Sequence, residues 1–295
     1  MHEGLSQTTR GYILGFIGVA IFSLTLPFSH LAVKELNPFF VGIGRAVVAG
    51  VASIIILAAT RQPWPTRGDA LRLLAVVGGV IFGFPVLSTV AMKTVDASHG
   101  TVVLGLLPLS TAFMSTIFAG ERPSPAFWAW GLLGSALVVT FALWQGNMAL
   151  RGADILLLLA VLAAGMGYAA GGALSRKLGG WQVICWGLIM ALPVTLPIAG
   201  YLALQINAPV TPISWISFAY LAFFSQLIGF FAWNKGLALG GVARVGQVQL
   251  LQTFMTLFAA WAFFGEDLSP RAIIFACLVA LCVWMGRKAQ VKTAP

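Results

Sequence analysis

The chain has 295 residues, 59% hydrophobic and 8% charged, with a formal net charge of +9. A soluble domain carries about 25% charged residues, so this chain lacks the ionic surface that a core of its size needs in water, and its main solvent is lipid. Nucleic-acid binding is not indicated by the basic excess, because the Lys and Arg residues lie scattered between apolar runs, where they orient membrane helices.

A helix crossing the ~30 Å hydrocarbon core needs about 20 mostly apolar residues. Ten runs qualify, roughly 11–33, 38–60, 70–92, 98–118, 125–143, 153–175, 181–204, 213–234, 242–264 and 270–287. The first carries Ser23 and His30 with Pro27 between them, and the second carries Arg45, a charge at depth. Thr66 with Asp69 three residues on reads as a capping pair opening the third run, which offers Phe82, Pro85, Ser88 and Thr89. His99 and Pro108 belong to the fourth, Tyr168 to the sixth, Pro193 and Pro197 to the seventh. Gln226 and Trp233 stand two turns apart in the eighth. Gln249, Gln252, Thr253 and Thr256 in the ninth fall at i, i+3, i+4 and i+7, one face of a helix. Asn37-Pro38, Ser124-Pro125, Thr211-Pro212 and Ser269-Pro270 each place a capping side chain before a proline suited to the first helical position. Tryptophans such as Trp64, Trp144, Trp181 and Trp215 near the run ends suit an interfacial belt.

Continuous runs of this length exclude a β-barrel, whose strands alternate over ~10 residues. Cys185, Cys277 and Cys282 sit in apolar runs without ligand spacing and read as small hydrophobes, so no metal or cofactor is expected. The first run is longer than a signal-peptide core of about 7–15 residues, so no cleavable leader is expected. Gly-x-Ser-x-Gly, His-Glu-x-x-His and paired intramembrane aspartates are absent, which argues against an enzyme.

Charge counting orients the helices. If the N-terminus, even-numbered loops and C-terminus share one side, that side collects Arg10, Arg61, Arg67, Arg72, Arg122, Arg176, Lys177, Lys235, Arg244, Arg287, Lys288 and Lys292. Lys34, Lys93, Arg151 and Arg271 are left for the other side. Twelve against four predicts both termini in the cytoplasm.

The chain also repeats itself. Gly120-Glu121-Arg122-Pro123-Ser124-Pro125 and Gly265-Glu266-Asp267-Leu268-Ser269-Pro270 agree at four of six positions at an offset of 145. At that offset Thr111 meets Thr256, Phe113 meets Phe258, Phe118 meets Phe263, and His99 falls opposite Arg244; Lys34 and Lys177 correspond at 143. The expected organisation is all-α integral membrane, ten transmembrane helices as two inverted five-helix repeats, residues 1–145 and 146–295. Five is odd, so the second copy enters the membrane from the opposite side, the architecture of many secondary transporters.

Two five-helix halves, each with a fourth helix followed by Gly-Glu-x-x-Ser-Pro, resemble the EamA-type branch of the drug/metabolite transporter superfamily, and within it the YddG-type amino acid exporters. The best-matching segments are Ala91–Pro125 and Gly236–Pro270, and the first repeat departs only in Arg122-Pro123. The resemblance implies a small-molecule exporter of the bacterial inner membrane working by alternating access. Amino acids are the implied solute, and drugs or other metabolites the alternative.

Side chains follow from what lipid penalises. Glu3, Glu35, Asp69, Asp96, Asp154 and Asp267 fall in loops or at helix ends, and Glu121 and Glu266 read as helix-end anchors placed before Ser-Pro starts. No pore carboxylate is expected, and with it no strict proton coupling. Neutral polar and aromatic groups remain: Gln226, Gln249, Gln252, Trp233, Tyr168, His30, Phe82, Ser88 and His99 are the candidate solute-binding set. Interhelical hydrogen bonding, worth about 0.6–2 kcal/mol each, is the competing reading for the amides and hydroxyls. An amphipathic, net-neutral solute such as a zwitterionic amino acid suits the set, with lipid the other partner and a monomer admissible.

Overall fold

The computed structural model describes residues 6–95, 100, 103–145, 152–264 and 270–293. His99, Glu266 and the Ser269 cap lie outside them. The fold is nearly all helical. Helices α1 (Gln7–Ala32), α2 (Pro38–Ala59), α3 (Arg67–Ala91), α6 (Gly152–Leu178), α7 (Gly180–Ala203), α8 (Pro212–Gly240) and α10 (Pro270–Lys288) are long and apolar enough to cross a membrane. Between them lie α4 (Leu107–Phe118), α5 (Pro125–Gln145) and a composite α9. This last begins as Val242–Gly246, tightens to a 3₁₀ turn over Gln247–Leu251 and ends as Gln252–Phe264.

Local chemistry sets the helix starts. Asn37 Oδ1 accepts from Phe39 N at 2.9 Å with Pro38 in the first turn. The Thr66 hydroxyl accepts from Asp69 N at 3.3 Å and donates to the Asp69 carboxylate at 2.6 Å. Ser124 Oγ accepts from Phe127 N at 3.4 Å. The Thr211 cap is not formed. Its hydroxyl donates to Glu35 Oε2 at 2.7 Å instead, because that carboxylate also accepts from Thr211 N at 2.9 Å and is the stronger acceptor. Helix α1 starts earlier than its apolar run because Ser6 caps it through Thr9 N at 3.2 Å.

Lipid supplies no hydrophobic drive between helices, so close backbone approach does the holding. Helix α1 packs on α8 through Gly11 and Gly15 against Gly236 and Gly240. A Cβ on Gly11 would sit 2.6 Å from Gly240 N, and one on Gly236 would sit 2.7 Å from Gly15 N. Helix α3 packs on α6 in the same manner, Gly79 against Gly167 at 2.6 Å. The other main pairings are α2 with α7, α4 with α6, α4 with α9 and α5 with α10.

Cross-links gather at two ends of the bundle. At one, Lys177 Nζ pairs with both Asp69 oxygens at 2.8 and 2.7 Å, and Arg176 Nη2 pairs with Glu121 Oε1 at 2.9 Å. Two short strands that periodicity did not predict, β1 (Glu121–Pro123) and β2 (Val291–Thr293), pair antiparallel there and tie the α4–α5 turn to the chain after α10. At the other end Glu35 binds Thr211 and Ser214, and His30 Nδ1 lies 3.2 Å from Met92 O.

Glu121 is a helix-end anchor, but for a helix other than the one expected. Its oxygens accept from Val242 N at 2.8 Å and Ala243 N at 2.7 Å, the start of α9, rather than from the α5 that follows it. Helix α5 already has the Ser124 hydroxyl, whereas α9 opens on Gly241 with no side-chain cap, so its free N–H groups need an outside acceptor.

Candidate functional site

Two proline-disturbed helices set up the centre of the bundle. Pro27 has no N–H for the Ser23 carbonyl, and α1 breaks at Leu24. In α3 the turn widens to a π segment over Val77–Gly83, where Phe84 N bonds Gly79 O five residues back. The next such acceptor, Val80 O, would need an N–H from residue 85, which is Pro85. A second π segment, Leu221–Ile228, occupies α8 at an offset of 144–145 residues from the first.

Side chains from α8 and α9 bond backbone carbonyls at both disturbances. Gln226 Nε2 donates to Val80 O at 3.0 Å, so the two π segments meet at this bond. The Thr256 hydroxyl donates to Ser23 O at 2.6 Å, and Gln252 Nε2 to Phe22 O at 3.4 Å. Thr25 and Ser225 join their hydroxyls at 2.8 Å. Each bond removes a penalty that an unpaired polar group would suffer in hydrocarbon.

Around these bonds lies a cavity of about 20 Å³, room for about one water. Phe22, Tyr168 and Phe230 wall it with aromatic rings, Phe22 and Tyr168 stacking at 6.3 Å between centroids and Phe22 and Phe230 tilting at 5.0 Å. Thr25, Ser225, Gln226 and Gln252 supply polar edges. Arg45 completes the wall. It is 1% exposed, and its Nε and Nη1 have no hydrogen-bond partner. A larger space of about 660 Å³ lies between α1, α9 and α10, but its lining is almost wholly apolar, Phe16, Phe254 and Phe258 among it. Nothing there fixes the orientation of a polar solute, so the small polar cavity is the candidate site.

Of the residues predicted from sequence, Gln226, Gln252 and Tyr168 come together at this cavity. Trp233 stands beside it, fully buried, packed edge-on against Tyr168 at 5.3 Å. Gln249 turns toward α4, where Thr111 Oγ1 donates to its Oε1 at 3.2 Å. Gln252, at the head of the α-helical part that follows the 3₁₀ turn, faces the cavity, so the two amides serve different partners. Ser88 is buried and bonds its own helix at Pro85 O, 3.3 Å. Phe82 is half-buried in the α3 π segment, and its neighbour Phe84 lines the cavity in its place. His30 lies at the far end of α1 beside Met92. Arg45 was absent from the predicted set, although an ionisable group within a span is a functional signal by itself. Among the described residues no cluster of His, Cys, Asp or Glu could hold a metal ion.

The EamA-like transporter family matches twice, over residues 9–144 and 151–285. An uncharacterized transporter YdeK of Bacillus subtilis (strain 168) is 42% identical over 292 residues, covering 96% of this chain and 99% of its own. The aromatic amino acid exporter YddG of Ancylobacter novellus is 24% identical over 279 residues, covering 90% and 93%. One solved protein structure superposes with a TM-score of 0.72 at 19% identity, covering 94% of this chain and 98% of that one, a likeness of fold.

Proposed function

The chain belongs to the EamA-like transporter family, and on that premise we propose that it is a secondary transporter exporting amino acids, aromatic and neutral ones foremost, across the bacterial inner membrane. Ten spans in two inverted halves, 1–145 and 146–295, with both termini cytoplasmic, would carry out alternating access. The two family matches support this division. The helix pairings support the inversion. Exchanging the halves turns α1–α8 into α6–α3 and leaves α2–α7, α4–α9 and α5–α10 unchanged. The 24% identity to an aromatic amino acid exporter supports the solute class.

One observation carries the reading: a small cavity with polar edges, walled by residues from both halves, at the bond between their π segments. At about 20 Å³ it is collapsed around no more than a water, so a solute enters as the helices part. Gln226, Gln252 and Tyr168 would then face it. Proteoliposomes loaded with labelled amino acids provide the test. Saturable flux, competed by unlabelled aromatic amino acids rather than by lipophilic cations and with a raised KM in Gln226→Ala and Gln252→Ala, is the expected outcome. Non-saturating flux would instead mark a pore, and competition by lipophilic cations alone a drug exporter.

A further inference from the structure

An unpaired cation inside a membrane protein is costly, and neutralising it needs an anion close at hand. Arg45 is such a cation. Its guanidinium borders the central cavity, two of its nitrogens lack partners, and the residue is 1% exposed. The described acidic residues, Glu35, Asp69, Glu121 and Asp154, all lie at helix ends or in loops, and none borders the cavity. The wall around the guanidinium offers hydroxyls, amides and aromatic faces but no carboxylate.

We propose that Arg45 is the carboxylate-binding residue of the solute site, and that the carboxylate is the obligatory part of the solute while an ammonium group is dispensable. The inference rests on the cavity being the solute site, as proposed above. A guanidinium presents its N–H donors in a planar fork that matches the two oxygens of a carboxylate. The two partnerless nitrogens lie on different edges of that plane, Nε beside Nη2 and Nη1 on the other side of Nη2, so each edge has a nitrogen open to a carboxylate oxygen. An ammonium group has only amide or hydroxyl oxygens and ring faces to meet, with Arg45 nearby opposing it. The accepted class therefore extends from amino acids to apolar monocarboxylates and stops at amines. It narrows the proposed function, because a cationic drug would leave two like charges in one dry cavity.

Binding to the full-length protein in detergent separates the alternatives. Four probes share one benzyl side chain: phenylalanine, 3-phenylpropanoate, phenylalaninamide and phenethylamine. Titration calorimetry is expected to show 3-phenylpropanoate binding at least as tightly as phenylalanine, with the amide and the amine tenfold or more weaker. Arg45→Gln is expected to weaken both carboxylates tenfold or more, to the level of the amide, while Arg45→Lys retains part of the preference. In the absence of ligand Arg45→Gln is expected to raise the thermal midpoint, whereas loss of a merely structural contact would lower it. Equal binding of acid and amide, undiminished carboxylate binding in folded Arg45→Gln, or no carboxylate binding at millimolar concentration would each overturn the proposal. Saturable vesicle flux indifferent to Arg45→Gln would sink this inference and leave the carrier reading standing. Carboxylate binding that depends on Arg45 without flux of any solute would do the reverse.

Discussion

The Gln226 side-chain amide donates to the Val80 carbonyl at 3.0 Å, a bond between residues 146 positions apart that joins the two π segments. Val80 O is left over because Pro85 has no N–H to offer it. Gln226 is therefore at once a backbone cap and a wall of the cavity. Replacing it with Leu strands the carbonyl and is expected to cost about 1–2 kcal/mol of stability, the range for polar contacts between membrane helices. Pro85→Ala restores an N–H at position 85, so Gln226→Leu made on that background should cost less. Thermal unfolding of the two single variants and the double variant gives the coupling, and strictly additive losses would contradict the account.

Glu121 offers a second test. It is 2% exposed and accepts from Val242 N, Ala243 N and Arg176 Nη2. Glu121→Ala removes the acceptor of the Val242 and Ala243 N–H groups at the start of α9 and is expected to destabilise by about 2–3 kcal/mol. Arg176, with a side chain 38% exposed, stays solvated when its partner goes, so Arg176→Ala should cost well under half as much. Paired denaturation curves decide it; equal losses would place the energy in the ion pair rather than in the helix end.

Acid should loosen the opposite end. The hydrogen bonds from the Ser214 hydroxyl, then from the Thr211 hydroxyl and the Thr211 amide, hold the Glu35 carboxyl below its ordinary value of 4.5. A folded value below the unfolded one means that the stabilisation is fully present above pH 4.5 and is lost as pH falls through the folded value. Wild type should therefore lose thermal stability below about pH 4.5 more steeply than Glu35→Gln. Parallel slopes for the two proteins would dismiss Glu35 as the titrating group.

Helix contact by bare backbone makes a fourth prediction. A Cβ at Gly236 would fall 2.8 Å from Gly11 O, whereas nothing lies within 4 Å of one at Gly68. Gly236→Leu should force α1 from α8 and lower the thermal midpoint and the folded yield. Gly68→Ala should leave both unchanged. Size-exclusion profiles in detergent report the outcome, and a monodisperse, fully stable Gly236→Leu protein would refute the packing argument.

Helix positions were readable from sequence because their causes are local: apolar length, a capping side chain, a proline behind it. Asn37, Thr66 and Ser124 cap as their neighbours dictate. What each buried polar group bonds to was not readable, because the acceptors are made elsewhere. Gln226, Gln252 and Thr256 stood out as polar residues in lipid, and Pro27 and Pro85 as interruptions, yet no short-range pattern links one set to the other. Thr211 looked like an ordinary cap until Glu35, 176 positions away, claimed its hydroxyl. Arg45 was visible as a charge at depth, but its want of a partner emerges only once the surrounding helices are in place.

The paired π segments also bear on ancestry. Adding one residue to an α-helix while both flanks keep their packing leaves a local widening of the turn. Val77–Gly83 and Leu221–Ile228 carry such widenings at matching depth in their halves. One such widening falls within each of the two family matches, the mark that a single insertion would leave if it preceded a duplication.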